Sequence, residues 1–284
     1  MNAGSGGIDA LRREIDQIDD TMHDLLMRRA EVVRRIGALK GSENPTLYRP
    51  EREAQLLRRL VGRHRGDLPV GAVARIWREI LTSSTRLQGD FRIAVWRSED
   101  DASVWRVVRG HFGSEAPATG YNSASQVINA VTRGEASIGL LPLPQQDDTT
   151  PWWPTLLGED VPRVVARLPF FVGADGTALD GAGALVVARQ ESQPSGEDRS
   201  LLVLEIETPV SRAKVVDALA GSGLSVGQQI VEGDGSGTAS QFHLLDIADF
   251  VQADDARLAA ACLLLGAVRV TRLGGYAVPI AVDA

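Results

Sequence analysis

The chain has 284 residues, 44% apolar and 24% charged, with a net charge of -7. That is enough apolar material for packed cores, which excludes a wholly disordered or collagen-like chain, and the length suits two or three domains. No run of ~18 uncharged apolar residues is present, so no membrane-spanning helix is expected. The opening MNAGSGG leads straight into charged, periodic sequence, so no secretory leader is expected. A single cysteine, Cys262, and four scattered histidines offer neither an internal disulfide nor metal-ligand spacing. The expectation is a cytoplasmic protein without metal or cofactor. Residues 1–90 hold 16 Lys and Arg against 13 Asp and Glu, an excess too small for a nucleic-acid surface. Only Lys40 and Lys214 are lysines.

Residues 8–40 predict one long helix. Apolar side chains fall at Ile8, Leu11, Ile15, Ile18, Met22, Leu25, Val32, Ile36 and Leu39, largely in steps of three and four. Such a helix is ~50 Å long and cannot bury its stripe inside a 90-residue unit without partner helices. GSENP (41–45) ends it. A second helix is expected from Pro50 to about His64. A third runs from Val70 to Gln88, with Val73, Ile76, Trp77, Ile80, Leu81 and Ser84 on one side.

Residues 91–190 alternate strand and helix. FRIAVW, ASIGLLPLP, VPRVVARLPFFVG and GALVVAR read as strands; DASVWRVVRGHF and SASQVINAVTRG read as helices. ESQPSGED (191–198) has linker composition. Residues 199–284 predict a βαββαβ order, a ferredoxin-like unit of the small-molecule-sensing type.

The long helix carries one break in its apolar seam. The spacing steps from Leu25 to Arg29 and on to Val32, so a guanidinium occupies an apolar position and needs a partner. Lys40 lies eleven residues on, ~20° beyond three full turns and ~16 Å along the axis, so both cations share a face. Two long side chains there could grip a small dianion. Arg12 lies ~25 Å from Arg29 and cannot reach the same ligand in its own chain. In an antiparallel pair of long helices, Arg12 of one chain reaches the Arg29 site of the other. Arg52 and Glu53 sit in the first turn of the second helix, where the helix dipole alone accounts for an acid. Ser84 and Gln88 are four apart on the third helix and share a face, as the lining of a cavity would.

Arg12, Arg29, Lys40, the Arg52–Glu53 pair, Ser84 and Gln88, on a long-short-short helix pattern, resemble an AroQ-type chorismate mutase over roughly residues 8–90. The resemblance implies an all-α, three-helix intertwined homodimer that rearranges chorismate to prephenate in phenylalanine and tyrosine biosynthesis. It implies no cofactor, and Arg12 is donated in trans. Arg29 and the partner copy's arginine would bind the two carboxylates with help from Ser84. Lys40 and Gln88 would face the breaking ether oxygen, and Glu53 with Arg52 would meet the ring hydroxyl. One departure is Arg49, where a well-known member has an acidic residue. The reaction is pericyclic, so conformer selection and charge stabilisation suffice without a nucleophile.

The remainder resembles the other parts of a bifunctional mutase–prephenate dehydratase. The implied fold class is multidomain α plus α/β. It comprises mutase helices (1–90), a truncated periplasmic-binding-like dehydratase domain (91–190), a linker (191–198) and an ACT-like domain (199–284). The family's Thr-Arg-Phe catalytic motif is replaced by Ala182-Gly183-Ala184, and its Pro-Ile-Glu-Asn run by Pro142-Leu143-Pro144-Gln145. In the ACT-like part, Ser211-Arg212-Ala213-Lys214 and Val231-Glu232-Gly233-Asp234 stand where the effector motifs would be. The expected protein is therefore a mutase with an inactive dehydratase tail. The alternatives are a non-catalytic regulatory or sensing protein, an intact bifunctional enzyme, or a related chorismate-type reaction on the same helices.

Overall fold

The computed structural model describes residues 3–40, 47–96, 101–113, 115–173, 183–233 and 240–282; side chains are not described for residues 3–6, 40 and 101–103. The GSENP stop, Ala182 and Asp234 lie outside the described residues, as does the side chain of Lys40.

Three helices open the chain: α1 (Ala3–Lys40), α2 (Pro50–Arg63) and α3 (Val70–Arg86). Local chemistry explains α2. Pro50 is preset for a first helical position, Glu51 and Glu53 face the positive helix end, and Arg63 the negative end. On α3 the buried stripe is rotated from the expected one. Ala74, Arg78, Leu81, Thr82, Ser84 and Thr85 are buried, while Ile76 is half exposed. The reason is that α3 packs against more than one element. Ala74 and Arg78 turn toward α4 and the segment at Pro169–Phe171, while Leu81, Ser84 and Thr85 line a hollow shared with α1.

The rest follows in chain order as β1 (Ile93–Trp96), α4 (Asp101–Phe112), β2 (Ala118–Tyr121), α5 (Ala124–Thr132) and β3 (Ile138–Pro142). After a 3₁₀ turn at Trp153–Leu157 come β4 (Arg163–Leu168), β5 (Phe171–Val172) and β6 (Ala184–Ala188). The chain then forms β7 (Asp198–Ile206), α6 (Arg212–Gly221), β8 (Val226–Gly233), β9 (Gln241–Ile247), α7 (Ala256–Leu265), β10 (Ala267–Ala277) and β11 (Ile280–Ala281). The helices are capped as their sequences demand: Ser123, Ser211 and Asp255 accept N-terminal amides of α5, α6 and α7. The expected strands and helices are all present; β2, β11 and the 3₁₀ turn are too short to have left a periodic signal.

Nine strands form one mixed sheet in the order β2-β1-β3-β6-β4-β10-β7-β9-β8. β1 runs parallel to β2 and β3, whereas β6 is antiparallel to both β3 and β4. β7 to β10 form an antiparallel βαββαβ unit. The two parts meet at one register pair, Gly274 on Val164. Gly274 has φ 134, and a Cβ there would overlap the Val164 carbonyl. Only glycine permits that approach. The 191–198 segment connects the parts and is tied down. Arg272 donates to Ser192 Oγ (2.7 Å), and Arg58 of α2 donates to Ser195 Oγ (3.0 Å) and to the Glu197 and Val278 carbonyls (2.7 and 2.9 Å). Ala54, Leu57, Leu81, Phe170 and Ala277 share a small core that seats the helices on the sheet.

α1 behaves differently. Every described residue from 7 to 28 is exposed. Among the described residues the helix packs on its own chain toward its end, where Val33 is buried and a Cβ on Gly37 would lie 3.1 Å from Gln88 Cα.

Candidate active site

Where α1 finally meets α2 and α3, a cavity of about 360 Å³ opens. Arg29, Arg52, Glu53, Ser84 and Gln88 line it, together with Arg49. Five of the seven residues singled out from sequence are thus gathered from three helices. Lys40 closes α1, and its side chain is outside the described residues. Arg12 is not at the cavity: it is exposed and pairs with Asp9 (3.4 Å) one turn away.

The Arg29 guanidinium donates to Ser84 Oγ, which donates in turn to the Ile80 carbonyl (2.5 Å). The ring of Trp77 lies 5.9 Å from it. Burial pulls the Arg29 pKa below its ordinary value, yet an arginine stays charged. Gln88 Nε2 donates to the Ser84 carbonyl (3.1 Å), which points its amide along the cavity wall. The seam-breaking arginine therefore has partners but no carboxylate among the described residues, and an anionic ligand would meet its charge.

Glu53 stands differently from its neighbours. Its Oε2 accepts from Arg78 NH1 (2.8 Å), and burial raises its pKa despite the pull of that arginine. Arg78 also reaches His111 Nε2 (3.2 Å), which Tyr48 OH approaches at 3.3 Å. Burial, then the charge of Arg78, holds His111 well below the usual imidazole range. Arg78 is a donor only, so Nε2 of a neutral His111 accepts from it and the ring proton sits on Nδ1. Arg49 Nε donates to buried Glu51 (2.6 Å), so the departure from the family pattern brings its own acid. Arg52 donates to Gln55 (3.0 Å).

Sequence reasoning missed Arg78, His111, Tyr48 and Trp77. Arg78 had a legible signal: like Arg29, it is an arginine on a buried helical row, 74–78–81–85. His111 and Tyr48 had none, since sequence spacing does not place α4 against α3.

Residues 11–89 match the family model for chorismate mutase type II. That match takes in the three N-terminal helices, and the cavity lies within it. The bifunctional chorismate mutase/prephenate dehydratase of Pseudomonas aeruginosa is 30% identical over 139 residues, which is 47% of this chain and 38% of that protein. The T-protein of Enterobacter agglomerans is 39% identical over 79 residues, 26% of this chain and 21% of that one. The chain thus spans well under half the length of the curated relatives it matches. A solved structure described as GqqA, a novel type of quorum-quenching acylase, aligns at a TM-score of 0.50 and 18% identity, covering 66% of this chain and 96% of that one. That likeness is one of fold. Among the described residues no helix is long and apolar enough to cross a membrane.

Proposed function

We propose that the chain is a chorismate mutase, converting chorismate to prephenate in the cavity between α1, α2 and α3. One observation carries this reading: Arg29, Arg52, Glu53, Ser84 and Gln88 line a single cavity inside the segment that matches the mutase family. Chorismate is a dicarboxylate, and Arg29 is a partly buried cation whose partners among the described residues, Ser84 and Trp77, are neutral. Arg29 and Ser84 hold one carboxylate. Gln88 and Lys40 donate to the ether oxygen as charge develops on it. These contacts strengthen in the transition state, which is what raises kcat. The raised pKa of Glu53 suits a carboxyl near that oxygen or the ring hydroxyl.

The working unit is a homodimer. A helix arm with residues 7–28 wholly exposed, carrying Ile15 at 57%, Ile18 at 52% and Met22 at 52%, is unstable alone in water. A second copy lying antiparallel covers that stripe and brings its own Arg12 to the cavity, where it binds the second carboxylate. The boundaries 1–90, 91–190 and 199–284 separate mutase, dehydratase-like and ACT-like units within this cytoplasmic enzyme of aromatic amino acid biosynthesis. The dehydratase-like unit is inactive: Gly183 brings no functional group, and Leu143 fills the space beside it. In the ACT-like unit Ser211 serves as a helix cap.

Purified protein should consume chorismate and yield prephenate as the product, without phenylpyruvate above the spontaneous rate. Release of pyruvate instead would point to the related elimination chemistry; no loss of chorismate would leave a binding protein. Mixing inactive Arg12→Ala and Arg29→Ala chains should regenerate some activity through hybrid sites. Proven subunit exchange without complementation would refute the shared site.

A further inference from the structure

A second cavity, about 340 Å³, lies on the far side of Arg78 from the mutase cavity, between α3, α4 and the β4–β5 connection. Its size falls within the range of small-molecule sites. Arg75 and Arg78 are three apart on α3, and Arg106 and Arg109 are three apart on α4, so each helix presents an arginine pair on one face. Among the described residues no carboxylate lines this cavity. Arg75 and Arg109 make no hydrogen bond or ion pair with any described residue. Arg78, with its side chain only 6% exposed, bonds Glu53 and His111 through NH1, and its other N–H groups have no acceptor among the described residues.

Arg75 and Arg109 at its rim and buried Arg78 in its wall focus a positive potential in this hollow. The helix dipole explains Arg109, in the last turn of α4, but not Arg75 in the middle of the arrangement. The remaining wall is apolar. Phe170 and Phe171 meet edge to face (5.7 Å), and the Arg78 guanidinium lies 5.3 Å from the Phe170 ring. Val107, Pro169 and Val282 complete that wall.

We propose that this cavity is a second ligand site, taking a small aromatic or cyclic carboxylate that carries no ammonium group. The carboxylate takes the free N–H groups of Arg75, Arg109 and Arg78, and the ring covers the apolar wall. A bare anion would leave that wall in water, and a zwitterionic amino acid would bring an ammonium into an all-cationic surround. Because Arg78 bonds Glu53 of the mutase cavity, occupancy reaches the first site through one side chain. That coupling rests on the mutase reading; the binding does not.

Titration calorimetry on the full chain tests it with isophthalate, 3-phenylpropionate, L-phenylalanine and acetate as probes. Isophthalate should bind tightest, 3-phenylpropionate next, and L-phenylalanine and acetate at least tenfold more weakly than 3-phenylpropionate. Arg75→Ala and Arg109→Ala, both exposed and expected to fold, should each weaken isophthalate at least tenfold. Arg29→Ala should leave it unchanged. Equal binding of acetate and isophthalate, L-phenylalanine matching 3-phenylpropionate, or loss of isophthalate binding in Arg29→Ala would each overturn the proposal. Bound isophthalate should shift the KM for chorismate in the native chain and not in Arg109→Ala. Isophthalate binding in a chain that turns over no chorismate would sink the mutase reading and leave this site standing.

Discussion

In the sheet, β3 buries four of its five residues and β6 all five; along α1, residues 7–28 bury none. Both segments are rich in branched apolar residues, so composition does not separate them. β3 and β6 lie inside the sheet with a paired strand on either side, and their two faces pack against α5 and the 3₁₀ turn on one side and α4 on the other. The α1 arm satisfies its backbone internally and leaves its stripe for something else to cover. A second contrast runs alongside. The buried residues of β1, β3, β4 and β6 are all apolar, whereas the α2–α3 face buries Glu51, Arg78, Thr82, Ser84 and Thr85, and β7, β9 and β10 bury Ser200, His243, Asp246 and Arg272. Burial of charge is costly unless paired: Asp246 pairs with Arg199 and Arg272 with Glu191 in the sheet, and on the α2–α3 face the buried charge adjoins the site. The helices give up packing quality for chemistry, and the sheet supplies the rigid base.

The sharpest way to break this contrast is to remove the cations. Arg29→Ala should cost roughly 10²–10³ in kcat/KM, largely through KM, because a carboxylate is charged in ground and transition states alike. Lys40→Ala should cost a similar factor in kcat, as for one lost oxyanion donor, about 3–4 kcal/mol. Lys40→Arg should not restore it, since a planar fork does not replace a compact ammonium at a single oxygen. Steady-state kinetics decide, and a near-normal kcat in Lys40→Ala would remove that lysine from the site.

The arm is tested by charge. Ile15→Asp with Met22→Asp should convert a dimer to a monomer in light scattering and take activity down with it, while the sheet region melts as before. Dimers that survive both changes would place the interface elsewhere.

The sheet is tested where its two parts touch. Gly274→Ala forces a side chain into the Val164 carbonyl at a φ of 134, which should destabilise by about 3 kcal/mol through strain and overpacking. Denaturant unfolding measures it, and a change below about 0.5 kcal/mol would show that the β4–β10 junction yields easily.

The smallest effect concerns pH. Neutral His111 stays unprotonated in the fold, while the unfolded chain takes up a proton below an imidazole pKa of about 6.5. Its contribution is full above that value and lost as pH falls through it, by about 1.4 kcal/mol per unit. His243, held low by burial and Arg212, acts in the same direction, and Glu53, raised by burial, acts against it. The informative quantity is therefore the difference between the native chain and His111→Gln. The variant should lose about one proton's worth of slope between pH 6.5 and 5.5 in thermal unfolding. Parallel curves would mean that His111 titrates normally.

Much of this was legible in the residues. The steps of three and four along 8–40 specify a helix whatever covers it, because periodicity acts within one segment. The same logic exposed Arg29 as an interruption and grouped Ser84 with Gln88. Strand runs such as ALVVA and LLVLEI needed no context to be recognised. Phase and partnership were not legible. Which row of α3 faces inward depends on α4 and on Phe170, elements distant in sequence, so Arg78 was passed over. The pairing of Glu53 with Arg78, the approach of His111, and the alignment of nine strands into one sheet through Gly274 depend on where separate segments meet. Local spacing fixes which side chains share a face of one element. Only packing among elements decides what that face meets, and with it which charges are buried and which cavities they line.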